Sequence, residues 1–289
     1  MALLVSLSLS AAKAAISVRD DAGNIVTLAQ PAQRVITMSP HVTELVFAAG
    51  GGDRIVGTVK YSDYPAAAKN IPLIGSNSSL DIERLIALKP DLLVIWRHNS
   101  AERQLEQIHK LRIPVFYSDP HKLRNIPDTI VRLGQLLGTT SEAEKTASAL
   151  SQKVDVLAAK YQQRSRVRVF YQVWSRPLYA LNGSQIISDA MHICGGENIF
   201  AHLPATAPVV NIEAVLGENP EVMVNGQHKD DKSDLEFWRS YPGLLAVHRN
   251  NLFGIDADLM NRAGPRLIDG TAILCEKLEL ARTRRGNAG

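Results

Sequence analysis

Short apolar runs separated by polar turns recur along most of the chain. Between residues 17 and 28, alternating apolar positions flank an Asp21-Ala22-Gly23-Asn24 turn, which predicts a hairpin. Beyond it the pattern predicts strands over 34–38, 55–59, 91–96 and 114–117, and helices over 40–49, 82–88, 101–111 and 126–137. Pro40 suits a first helical position after a Ser39 cap, and Gly50-Gly51-Gly52 stops that helix. Asp81 caps the next helix and Pro90 ends it. Gly138 closes the fourth. Strands alternating with helices imply α/β layers with mostly parallel strands.

Residues 141–164 read differently. They hold no Gly or Pro, and Ala147, Leu150, Val154, Leu157 and Tyr161 recur at spacings of three or four. Ser141-Glu142-Ala143-Glu144 offers a capping box, and a helix of ~24 residues would be roughly 36 Å long. The strand–helix alternation restarts at 167–173. The second half also echoes the first: residues 81–94 align without gaps on residues 211–224, at a constant offset of 130. Each copy is a cap, Ile, Glu, an apolar face, a Pro stop, an acid and a strand. A second echo sets residues 51–56 against 195–200. The pattern predicts an N-terminal lobe over 15–138, an interdomain helix over 139–165 and a C-terminal lobe over 166–283, with a disordered tail over 284–289.

Composition refines this picture in three places. The 289 residues are 45% apolar and 21% charged, close to the globular average, which argues against a disordered or fibrous chain. With 32 basic and 29 acidic residues the net charge is only +3. The one dense basic stretch, Arg282, Arg284 and Arg285, reads as part of a frayed C-terminus, so no nucleic-acid partner is expected. Residues 3–9 form an apolar run and Ala12-Lys13-Ala14 fits a small-x-small cleavage site. Residues 1–14 therefore read as a signal peptide, although its usual basic leading segment is missing. No other stretch approaches the ~18 apolar residues of a membrane span, so a soluble exported protein is expected. Cys194 and Cys275 lie in no CxxC. In an exported chain an even pair suggests one disulfide, the alternative being two buried thiols.

The search for chemistry finds no G-x-G-x-x-G, P-loop, G-x-S-x-G or H-E-x-x-H. Aromatics are sparse, at 6%, but several stand where strands give way to loops: Tyr61 and Tyr64, Trp96 with His98 beside it, and Trp174 with Tyr179. In open α/β sheets such loops meet at the ligand crevice, where aromatic faces offer apolar stacking. Glu83 and Glu213 occupy the same place in the two repeats. Each suits the first turn of a helix on dipole grounds alone. Together they would suit a partner presenting two equivalent basic sites.

Residues 80–96, the Tyr61-Ser62-Asp63-Tyr64-Pro65 block and the Cys194-Gly195-Gly196-Glu197-Asn198-Ile199-Phe200 block resemble the periplasmic cobalamin-binding proteins of bacterial ABC importers. Further matches lie at 34–50, 101–104 and 262–266. The resemblance covers roughly residues 34–280, and the helix with Lys89-Pro90-Asp91 is shared by the wider siderophore, haem and cobalamin class. It implies an α/β protein of two Rossmann-like lobes joined by one long rigid helix. A corrinoid would lie in the inter-lobe cleft, with no cofactor, no bound metal and no catalysis. It also implies a disulfide between Cys194 and Cys275. Tyr61, Trp96 and Tyr179 match ligand-contact positions, and Arg262 is a further contact by the same alignment. Glu83 and Glu213 would dock a monomer on arginines of the two permease copies.

Two departures bear on the ligand. The cobalamin binders carry a Trp near Ser76-Asn77-Ser78 and another near Ala207-Pro208-Val209; this chain has neither. Haem, with Tyr61, Tyr64 or His98 as axial ligand, and a ferric siderophore are the alternatives within the class. A siderophore site should show Arg or Lys lining the cleft. An exported metal- or corrinoid-processing enzyme is the alternative from another class, and would need clustered ligands in the cleft.

Overall fold

Alternate residues of a strand face opposite sides of a sheet, and in the central strands of this protein both sides are buried. The computed structural model describes residues 15–76, 79–96, 102–228 and 234–286; the expected signal peptide and His98 lie outside the described residues. The chain opens on a hairpin of β1 (Ile16–Arg19) and β2 (Ile25–Leu28), in register from Ile16 opposite Leu28 to Arg19 opposite Ile25. Gly23, at φ 87°, supplies the left-handed residue its turn needs. There follow β3 (Val35–Thr37), α1 (Pro40–Ala48), β4 (Ile55–Gly57), a two-stranded ribbon of β5 (Gly75–Ser76) and β6 (Ser79–Leu80), α2 (Ile82–Ala87), β7 (Leu92–Ile95), α3 (Glu102–Lys110), β8 (Val115–Tyr117) and α4 (Asn125–Leu137). The strands β4-β3-β7-β8 form one parallel sheet. Val35, Leu92 and Val94 pack on one face with Leu45 and Leu133. Ile36, Leu93 and Ile95 pack on the other with Leu85 and Ile108.

The long helix α5 (Thr140–Tyr161) leads into β9 (Val167–Gln172), the ribbon β10 (Trp174–Ser175) and β11 (Leu178–Tyr179), α6 (Ile186–Ile193), β12 (Gly196–Asn198), α7 (Ile212–Glu218), β13 (Val222–Gln227), α8 (Leu245–His248), β14 (Leu252–Asp256), α9 (Ala257–Met260) and α10 (Arg266–Gly286). The strands β12-β9-β13-β14 form a second parallel sheet. Numbered within its own lobe, each sheet has the order 2-1-3-4. The offset-130 repeat falls on equivalent elements: α2 leads into β7 and α7 into β13, the third strand of each lobe. The two helices are capped alike, with Asp81 Oδ1 accepting from the Arg84 amide at 2.9 Å and Asn211 Oδ1 from the Ala214 amide at 2.8 Å. The fold is thus α/β, two Rossmann-like lobes joined by one long helix.

α5 buries Ala143, Ala147, Leu150, Val154 and Tyr161 as one stripe. That stripe belongs to a single core cluster running from Val35 and Leu45 of the first lobe to Val169, Ile193 and Leu278 of the second. The connector is therefore cemented to both lobes, not a free rod. Its start corrects the sequence reading. The helix begins at Thr140, ahead of Ser141, so Ser141-Glu142-Ala143-Glu144 forms no capping box. The Thr139 hydroxyl at its cap position instead donates to the Ala49 carbonyl at 2.5 Å; a tertiary contact has displaced the local one.

The C-terminus corrects it again. Residues 284–286, expected in a disordered tail, are the last turn of α10. Arg284 donates to Asn251 Oδ1 at 3.0 Å, and Arg285 holds the Glu221 carboxylate with two bonds of 2.7 Å. Arg282 likewise donates to the Cys194 carbonyl at 2.8 Å, so the three charges that looked like fraying are all held by the lobe; residues 287–289 lie outside the described residues. Cys194, which caps α6, and Cys275 of α10 are both fully buried and joined in a disulfide.

Candidate functional site

In a sheet of order 2-1-3-4 successive connections leave in opposite directions between strands 1 and 3. A crevice opens there outside the strand carboxyl ends. These switch points lie between β3 and β7 in the first lobe and between β9 and β13 in the second. Both lobes turn them toward one shared cavity of about 470 Å³. His41 follows β3, Trp96 follows β7, Gln172 ends β9, Trp174 begins β10, and Asn225 lies in the second half of β13; all line this cavity. Asn261, at the end of α9, is added from beyond β14.

Of the residues singled out in the sequence, Trp96 and Trp174 line the cavity. The Trp96 indole N–H donates to Asp119 Oδ1 at 3.2 Å, and its ring meets His41 edge to face, 5.2 Å between centres. Trp174 is 60% exposed, and its N–H donates to the Arg176 carbonyl at 3.1 Å. Both indoles spend their donors internally and offer the cavity apolar faces. Tyr179 lies opposite Trp174 across the β10–β11 ribbon and bridges to Val209. Tyr61, at φ 68°, is 76% exposed and stands outside the cavity wall.

Tyr64 and Arg262 do not line the cavity; both belong to an ion network beside it. The Arg266 guanidinium lies 4.1 Å over the Tyr64 ring. Arg262, aligned with a ligand contact, is taken up by carboxylates: Asp63 at 2.8 Å, Asp258 at 2.7 Å and Glu44 at 3.2 Å. A cation so neutralised braces the lobes; a ligand would have to displace one of its partners.

Glu83 and Glu213 are both exposed, each in the first turn of its helix. Neither has an ion-pair partner among the described residues. Each helix runs back against the strand that follows it, so its N-terminus stands at the carboxyl end of the sheet, the same end as the cleft. Glu213 also borders a second cavity, of about 770 Å³, which shares Gln172 and Asp234 with the first.

Sequence reasoning missed His41, Asn225, Gln172, Gln185 and Asn261. A signal existed for two of them: His41 sits just past the Ser39-Pro40 helix start that follows a strand, and Asn225 is the polar residue that ends an apolar run. His41 is buried, and burial, reinforced by the nearby charge of Arg262, pushes its pKa down to about 3, so the ring is neutral. No Arg or Lys is among the described residues lining the cavity. Among the described residues no group of three or more His, Cys, Asp and Glu gathers to hold a metal, and no helix is long and apolar enough to cross a membrane.

Two doubly wound lobes with a cavity between their switch points define a two-lobed solute-binding protein. The chain belongs to the periplasmic binding protein family, whose sequence profile matches residues 35–259; it is a protein of the periplasm. It is 33% identical over 257 residues to a vitamin B12-binding protein of Vibrio parahaemolyticus, covering 89% of this chain and 93% of that one. It is 36% identical over 257 residues to a vitamin B12-binding protein of Yersinia pestis, covering 88% and 90%. The crystal structure of the periplasmic vitamin B12-binding protein BtuF of Vibrio cholerae superposes with a TM-score of 0.81 at 31% identity, covering 87% of this chain and 98% of that one.

Proposed function

We propose that this protein captures cobalamin or a related corrinoid in the inter-lobe cleft and delivers it to the membrane permease of an ABC importer. The observation that carries the reading is the chemistry of the cavity wall: indole faces of Trp96 and Trp174 beside the side-chain amides of Gln172, Gln185, Asn225 and Asn261, with no Arg or Lys among the described residues that line it. A corrinoid presents a flat macrocycle rimmed by neutral carboxamides, which such a wall matches. The carboxylates of haem, or a ferric siderophore, would call for Arg or Lys in that wall. Likeness to vitamin B12-binding proteins over about nine-tenths of the chain supports the same reading.

Ala207 is part of the wall, so stacking would come from Trp96 and Trp174. In this reading the ligand is cargo, no chemical step occurs, and the protein acts as a monomer. Glu83 and Glu213, one exposed carboxylate per lobe, meet basic side chains of the two permease copies. The test is titration with cyanocobalamin, cobinamide and haem, followed by tryptophan fluorescence and ligand absorbance. Saturable corrinoid binding with quenching is expected; binding of haem alone, or of none of the three, would overturn the reading.

A further inference from the structure

Four buried side-chain polar atoms lack a hydrogen-bond partner among the described residues: His41 Nε2, Ser118 Oγ, Asn225 Oδ1 and Arg249 Nε. Two of them, His41 Nε2 and Asn225 Oδ1, belong to residues that line the inter-lobe cavity, one from each lobe. A buried polar atom without a partner has given up its hydration and received nothing in return. The rest of the wall does not share this condition. The Gln172 carbonyl oxygen accepts from the Trp238 indole at 2.7 Å, that of Gln185 from the Ile186 amide at 2.9 Å, and that of Asn261 from the Tyr171 hydroxyl at 2.8 Å. Three of the four side-chain amide acceptors are thus spent on the fold, and Asn225 keeps the fourth.

We propose that His41 and Asn225 are the polar anchors of the cleft, each taking a carboxamide of the bound corrinoid, one from each lobe. The Ser39 hydroxyl lies 3.1 Å from His41 Nδ1. Donation from that hydroxyl puts the ring proton on Nε2, which then donates to a ligand carbonyl. Asn225 Oδ1 accepts from a ligand NH₂. A primary carboxamide carries both complements. The neighbouring Arg262 adds no competing donor, because three carboxylates hold it. The anchors stand at 4% and 6% exposure, so water competes poorly for them, and because they come from opposite lobes a ligand held by both bridges the cleft. This inference rests on the corrinoid reading of the cleft.

The test uses the whole mature protein with His41→Phe and Asn225→Leu, which keep approximate shape and remove the polar atom. Calorimetric titration with cyanocobalamin and with cobinamide, and thermal melting without ligand, are measured for each. Each substitution is expected to weaken binding about tenfold, equivalent to about 1.4 kcal/mol, with the melting temperature unchanged or raised because an unpaired buried polar atom has gone. His41→Gln, which keeps an N–H donor, should recover part of the loss. Wild-type affinity in either variant overturns the proposal, as does a loss of affinity that appears only alongside a lowered melting temperature. If the unaltered protein binds neither corrinoid, the corrinoid reading itself fails, and the inference falls with it.

Discussion

Arg266, at the start of the last helix, sets its guanidinium on the carboxylate of Glu44, in the first helix of the other lobe, with bonds of 2.7 and 3.0 Å. Glu44 is buried, and Arg262 reaches the same carboxylate at 3.2 Å while also holding Asp63. The lobes are therefore joined twice, by the packed helix α5 and by this ion network 222 residues apart in sequence.

Removing the carboxylate should leave two partly buried cations short of a partner. Glu44→Ala is expected to lower folding stability by about 3 kcal/mol, in the range for breaking a buried pair. Urea denaturation of the variant checks this. A wild-type midpoint would mean that the network contributes nothing to stability.

The disulfide closes a stretch of 81 residues between Cys194 and Cys275. The chain-entropy relation gives about 4.5 kcal/mol for such a loop. The double variant Cys194→Ala/Cys275→Ala should lose about 2–5 kcal/mol, read as a lowered thermal midpoint under non-reducing conditions. Ligand affinity at a temperature where the variant is folded should hold, because neither sulfur reaches the cleft.

His41 makes stability depend on pH. In the folded protein its pKa lies near 3, against 6.5 for the exposed ring, because burial and then the charge of Arg262 disfavour the imidazolium; Ser39 and Trp96 are its other close neighbours. Between those values the unfolded chain takes up a proton that the folded chain refuses. Stability therefore falls as pH drops below 6.5 and continues to fall toward 3. At pH 5 the cost is about 2 kcal/mol relative to neutrality. Thermal melts at pH 7 and pH 5 should differ less for His41→Phe than for the unaltered protein; equal differences would show that the ring is not the titrating group.

The exposed glutamates allow a separation of binding from delivery. Glu83→Ala with Glu213→Ala should leave corrinoid affinity unchanged and reduce transporter stimulation or uptake at least tenfold, since a charge-assisted contact is lost in each lobe. Either single variant should fall between. Unimpaired uptake by the double variant would remove the two residues from the docking surface.

How much of this was legible can be judged from particular residues. The match of residues 81–94 with 211–224 shows two capped helices leading into strands, and the structure puts those strands third in each sheet. Such signals are local: a cap reaches three residues, a buried stripe repeats every three or four. Trp96 and Trp174 were visible because strand-to-loop transitions can be read from hydropathy. Ser141-Glu142-Ala143-Glu144 misled because Thr139 found the distant Ala49 carbonyl, a partner that no local pattern announces.

By itself the sequence determined the layers, the two-fold repeat and the ends of the strands at which a ligand must bind, because these follow from short-range periodicity and backbone geometry. The tertiary structure alone decided which polar groups remain open for a ligand. Arg262 is neutralised by Glu44, 218 residues away, and by Asp63, 199 residues away. Gln172 is spent on Trp238, 66 residues on. His41 Nε2 and Asn225 Oδ1 are left without partners among the described residues. A hydrogen bond forms with whatever group folding brings within about 3 Å, and distance along the chain carries no record of that.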